Sequence, residues 1–141
     1  MLQVKRINLS ELKRQAILSV NREKRDMLKQ KNHFYVIDCE TTGTKRPEPI
    51  YIAGCRYEKG VCAQEYKQFF MPERDITEEA EKIHGLNVKR LRQKYTRKFT
   101  NDSASILAEF LNEYPNIPIV AHGVKFDRDK VLKPAFRKVN K

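Results

Sequence analysis

The sequence predicts an α/β domain on a mixed sheet: three antiparallel strands in succession, then a fourth strand reached through helices. Three observations predict it. Runs rich in aromatic and β-branched residues at 33–40, 50–57 and 61–69 are too short for helices and have strand-like composition. The gap between the second and third, Glu58-Lys59-Gly60, is short enough only for a hairpin turn. From residue 75 onward the apolar residues recur at helical spacing, interrupted once by the short apolar run Ile117–Ala121. The expected order is β-β-β-α-α-β-α.

Residues 9–31 read as a helix that precedes the domain. Asn8 and Glu11 have capping-box spacing, and Leu9, Leu12, Ala16, Val20 and Met27 form one apolar stripe. Residues 1–31 hold nine basic and three acidic side chains, a net of +6. They are assigned as a basic helical extension, and 32–141 as the domain. Thr44–Pro49, with two prolines, is a loop. Gly60 falls where the hairpin needs positive φ. Asp75–Ile83 is expected as a short helix with acids in its first turn, closed by Gly85 in the left-handed conformation. Asp102 or Ser103 is expected to cap a helix reaching Tyr114, with Ile106, Leu107, Phe110 and Leu111 inward and Pro115 as its stop. Ile117–Ala121 reads as a buried strand, and a basic helix should follow Asp127 through Lys138.

The chain has 141 residues, 29 basic and 18 acidic, a net charge of +11. Such an excess favours a polyanionic partner, nucleic acid first. No apolar run reaches transmembrane length and the first ten residues lack a signal-peptide core, so the sequence reads as that of a cytoplasmic protein with no membrane partner. Cys39, Cys55 and Cys62 show no paired spacing and are expected as reduced thiols. The densest basic run, from Lys89 to Lys98, carries Lys89, Arg90, Arg92 and Lys94 with Tyr95 and Phe99 among them. That mixture suits a nucleic-acid backbone, although a solvated charge run has the same composition.

Asp38 and Glu40 share one face at the end of the first strand, because side chains alternate. Two carboxylates that close resist ionising together unless a cation lies between them, and hard divalent ions take carboxylate oxygens. The fourth strand delivers Asp127 just past its own end. If strands one and four are neighbours, three carboxylates meet at the carboxyl edge of the sheet, an arrangement suited to metal-assisted phosphodiester hydrolysis.

Val36-Ile37-Asp38-Cys39-Glu40-Thr41-Thr42-Gly43 resembles the first motif of the DEDDh 3′–5′ exonucleases, most closely the branch containing the proofreading epsilon subunit of bacterial DNA polymerase III. Ala121-His122-Gly123-Val124-Lys125-Phe126-Asp127 resembles the second motif, and Pro72 through Gly85 a segment that lies between the two. The resemblance covers residues 33–137 and implies a ribonuclease-H-like fold. It also implies cleavage at single-stranded DNA or RNA 3′ ends with two Mg²⁺ or Mn²⁺ ions. Asp38, Glu40 and Asp127 would be the metal ligands and catalytic acids. Thr41, Thr42, His84 and Phe126 would meet the terminal nucleotide, although a helix-end histidine bonded to backbone is the plainer role for His84. A polymerase is the partner the resemblance raises; a second copy of the chain is expected on another ground, the open sheet edge that a missing last strand would leave beside strand four.

Two departures stand out. Gly123 replaces the family's asparagine, and no H-x-x-x-x-D follows Asp127, so the fold's last strand and helix have no sequence to build them. The expectation is an exonuclease-type domain with impaired activity. The alternative is an inactive nucleic-acid-binding module, or a fragment completed by a partner.

Overall fold

A computed structural model describes residues 32–94, 96–121, 123 and 126–139. The expected helix at 9–31 lies outside the described residues, as do Tyr95 and His122. The central sheet is four-stranded: β1 (His33–Thr41), β2 (Pro49–Glu58), β3 (Val61–Phe69) and β4 (Ile119–Val120), in the order β3-β2-β1-β4. β1 pairs antiparallel with β2, and β2 with β3, while β4 lies parallel to β1. The expected mixed sheet is therefore present, with strands one and four as neighbours.

The β2–β3 hairpin turns through Lys59 at φ 51° and Gly60 at φ 80°. Positive φ at both central positions matches the twist of the flanking strands, and glycine holds it without a Cβ clash. The expected reduction of all three cysteines does not hold. Cys55 and Cys62 lie on paired strands with their Cα atoms 6.0 Å apart, inside bridging range, and they are joined in a disulfide. Cys39 alone is free, and it is buried.

Helix α1 (Glu78–His84) begins later than expected. Its cap is Thr77, whose hydroxyl accepts from the Ala80 N–H at 3.1 Å while its own N–H donates to the Thr42 carbonyl at 2.9 Å. That tether leaves Asp75 and Ile76 outside the helix. Gly85 closes it at φ 73°. The basic run is not a loop throughout: Asn87 caps a further short helix, α2 (Val88–Gln93), which buries Leu91. The order thus gains one helix. Helix α3 (Asn101–Asn112) is capped by Thr100, not by Asp102 or Ser103, because Thr100 and Ser103 bond each other's backbone in a capping box. Its inward residues are Ala104, Leu107 and Phe110, and Ile106 is 58% exposed.

β4 is shorter and more open than expected. Only Ile119 and Val120 pair with β1, and Ile119 is half exposed. Beyond Asp127 the chain winds as a π-helical segment (Phe126–Leu132) and then as helix α4 (Lys133–Val139). The winding changes beside Pro134, which has no N–H to continue the ladder.

One face of the sheet packs Tyr35, Ile37, Cys39 and Ile52 against Leu107, Phe110 and Val131. Gly54 permits this contact, since a Cβ there would lie 2.8 Å from the Phe110 ring. A second cluster joins Ile50, Tyr51 and Ala53 to Leu86 and Leu91, which seats α1 and α2 on the sheet. Among the described residues no helix is long and apolar enough to cross a membrane.

Candidate active site

The carboxyl end of β1 is where the fold gathers acid. Asp38 and Glu40 are half-buried and share one side of the strand, about 7 Å apart along it. The parallel pairing of β4 with β1 sets the chain after Val120 at the same end, and the Asp127 N–H closes a turn on the Gly123 carbonyl at 2.9 Å. Asp127 is 7% exposed. Burial, and then the nearby charges of Asp38 and Glu40, push its carboxyl up to about 7. Cys39 registers the same gathering: its thiol is pushed well up by burial and then by Asp127, Asp38 and Glu40. The three acids expected together are therefore electrostatic neighbours.

The pairing of β1 with β2 slips between Glu40 and Thr41. Bulges of this kind turn a strand end away from its ladder. Beyond the slip the chain folds back on itself. The Thr41 hydroxyl donates to the Gly43 carbonyl at 3.0 Å, and the Thr42 hydroxyl accepts from the Glu48 N–H at 3.0 Å. Both hydroxyls thus shape the loop.

His84 is fixed at both ring nitrogens. Nδ1 accepts from the Leu86 N–H at 3.0 Å, so Nε2 carries the proton and donates to the Thr41 carbonyl, also at 3.0 Å. Burial lowers its pKa. The ring pins the end of α1 to the end of β1, which is the backbone-bonded role weighed from sequence. It also lies on the wall of an open cleft of about 1050 Å³, together with Glu40, Thr41, Thr42 and Phe126. Every residue expected to meet a terminal nucleotide thus borders one cavity.

The α2 cations fall elsewhere. Lys89, Arg90, Arg92 and Lys94 are not among the residues that border this cleft, and Lys94 caps the Phe69 ring at 4.9 Å instead. The cations on its wall are Lys45 and Arg74. Sequence reading passed over both, because they lie in loops outside the dense basic run, Lys45 beside Arg46 alone and Arg74 between two acids. Among the described residues no three His, Cys, Asp or Glu side chains already converge as a metal cage. The fit to a divalent ion rests on the donors themselves: hard carboxylate oxygens whose mutual repulsion is visible at Asp127.

Residues 35–139 match the model of the Exonuclease (RNase_T) family. Among solved structures, the chain is similar to exonuclease X in complex with 5′ overhanging duplex DNA, at 20% identity and a TM-score of 0.45. That likeness covers 52% of this chain and 42% of the other, so the chain spans less than half the length of that structure. Comparison with curated proteins finds no match.

Proposed function

The chain belongs to the exonuclease family, and we propose that it acts on nucleic-acid 3′ ends, hydrolysing the terminal phosphodiester with Mg²⁺ or Mn²⁺ held by Asp38, Glu40 and Asp127. One observation carries the assignment of roles. Asp127 is buried, comes from a different element than Asp38 and Glu40, and is pushed up to about 7 partly by those two acids. A cluster that opposes its own ionisation is stabilised by a divalent cation, which exchanges repulsion for ligation. Two such ions, when bound, supply an ionised water at neutral pH and stabilise the leaving oxygen.

The remaining roles belong to side chains. Glu40, Thr41 and Thr42 form the floor on which a terminal nucleotide rests, and Phe126 offers a ring for its base. His84 positions: it holds the Thr41 carbonyl and has no lone pair left to take a proton. His33 stands at the other end of β1, bonded to Arg56. Among the described residues, then, neither histidine is placed to act as base toward water at Asp38. A positioned base contributes roughly 10²- to 10⁴-fold. Without one, turnover should be slow while metal and single strands still bind.

Purified protein with Mn²⁺ and a 3′-labelled single strand tests this, beside an Asp38→Ala control. The expected result is slow release of the labelled nucleotide that disappears in the control. Cleavage that survives in the control would remove Asp38 from the chemistry, and the reading with it.

A further inference from the structure

A second cleft of about 980 Å³ opens beside the first, between the loop 44–49, the segment 71–74 and α4. The two share Thr44, Glu73, Arg74 and Phe126 as walls, so they are continuous. Five cations border the second cleft, Arg46, Arg74, Lys98, Lys130 and Lys138, against the acids Glu48, Glu73 and Asp129.

Each of those acids is already engaged. Glu48 accepts from the N–H groups of Glu73 and Arg74, at 2.8 and 3.1 Å. Glu73 takes Lys138 at 2.5 Å and Lys98 at 3.7 Å. Asp129 takes Arg128 at 2.9 Å and Lys133 at 3.5 Å. Among the described residues Arg46, Arg74 and Lys130 form no ion pair. The cleft therefore keeps unpaired positive charge.

It also has an aromatic wall. Phe99 and Phe126 border it, and Phe99 is held edge-on between Phe70 and Phe136, at 5.0 and 5.9 Å between ring centroids. Arg46 adopts φ 43°, an uncommon conformation for a residue with a side chain. Such strain, at a cavity wall, is a recurrent feature of functional loops. Cations that track phosphates beside rings that stack bases are the two requirements for holding a single strand.

Resting on the exonuclease reading above, we propose that this second cleft binds the nucleotides next to the terminal one. A single strand with its 3′ end in the first cleft, which Glu40 borders while Asp38 and Asp127 do not, passes Phe126 into the second cleft. There Arg46, Arg74 and Lys130 meet its phosphates, and Phe99 and Phe126 meet its bases. The substrate class is thus a strand of several nucleotides, not a dinucleotide, and its path follows α4 instead of α2.

Fluorescence anisotropy of the full chain with labelled oligothymidylates of two and eight nucleotides tests this, in EDTA so that binding is read without turnover. The octamer is expected to bind at least about 10-fold tighter than the dimer, with the surplus falling steeply as salt rises. In an Arg46→Asn, Lys130→Ala variant the octamer's advantage should collapse, and its salt slope should fall by roughly 1.4, for two phosphate contacts at about 0.7 each. The two single variants, each at an exposed position, should lie between and guard against misfolding of the double. An advantage kept in all three, or lost instead when Lys89 and Arg92 of α2 become Glu, overturns the assignment. Failure of hydrolysis with the length advantage intact would break the catalytic reading alone.

Discussion

The two ends of β1 handle charge in opposite ways. At its start, Arg56 is buried across from Tyr35 and donates to His33 Nε2 and to Glu58, each at 3.1 Å, while its guanidinium stacks 4.3 Å over the Tyr114 ring. Beside it the Tyr35 hydroxyl donates to the Phe110 carbonyl at 2.6 Å. There a cation is offset by an acid, an imidazole acceptor and a ring. At the other end, Asp38, Glu40 and Asp127 bring charge of one sign together and push Asp127 up to about 7. The same strand thus anchors the fold at one end and keeps an electrostatic demand at the other. A demand of that kind, built into a well-packed sheet, marks a place shaped for a ligand.

The sharpest test of the contrast is Asp127→Asn, where activity and stability should move in opposite directions. Loss of one charged group that stabilises the transition state is expected to lower hydrolysis by roughly 10²- to 10³-fold. Stability should rise. Asp127 ionises near 7 in the fold against an ordinary 3.8. A raised acid contributes stability that is fully present below pH 3.8 and is lost as pH rises through about 7. Metal-free wild type should therefore lose on the order of 4 kcal/mol between pH 4 and pH 8, a loss the asparagine variant escapes. The variant should also expose the opposite limb from His84. That pKa is lowered from 6.5 by burial, so stability should decline as pH falls below about 6.5. Denaturant titrations of both proteins in EDTA across this range check the signs. A wild type whose stability rises from pH 4 to 8 would contradict the strained end.

Next in size are changes that should damage the fold through one end or the other. Arg56→Ala is expected to cost about 2 kcal/mol, through lost packing and its cation–π contact more than through the ion pair, because Glu58 is half exposed and can be solvated. The carboxylate end should be untouched, so activity per folded molecule should stay at the wild-type level. His84→Ala should cost a similar 2 kcal/mol, by leaving the Leu86 N–H and Thr41 carbonyl without their partner. Here activity should fall as well, because the Thr41 turn loses its anchor. Thermal melts alongside the 3′-end assay separate the two cases.

The sequence showed the working end more clearly than the quiet one. Asp38 and Glu40 were legible because alternation on a strand is a strict rule, and Asp127 because it lies just past an apolar run in a stretch that resembles the second motif. The three-strand meander followed from run lengths and one short turn, whereas the seat of β4 beside β1 was only a condition until the fold supplied it. The capping of α3 was misread because Thr100 and Asp102 are both good caps, and only the reciprocal bond with Ser103 decides between them. Helix α2 was hidden by its charge, since a single buried residue, Leu91, turns a basic run into an element. The second cleft was not legible at all. Arg46, Arg74 and Lys130 are far apart in sequence and form one wall only after folding.

The smallest expected effect gives the closest comparison. Arg46 and Lys59 are the two non-glycine residues with positive φ among those described, at 43° and 51°. Lys59 lies in the β2–β3 hairpin at the quiet end, where its N–H donates to the Asn32 carbonyl at 2.7 Å. Arg46 lies on the wall of the second cleft. Left-handed backbone costs a side-chain-bearing residue about 1 kcal/mol, and asparagine tolerates it better. Lys59→Asn and Arg46→Asn should therefore each stabilise the chain by roughly 0.5 to 1 kcal/mol, read as matched shifts in denaturation midpoint. Their effects on binding should differ. Lys59→Asn should leave octanucleotide affinity as it is, because a hairpin so far from the acids meets no strand. Arg46→Asn should weaken it severalfold, by removing a phosphate contact. If both variants gain stability and both keep full affinity, the strain at Arg46 is as incidental as that at Lys59. The working end of the sheet would then stop at the carboxylates.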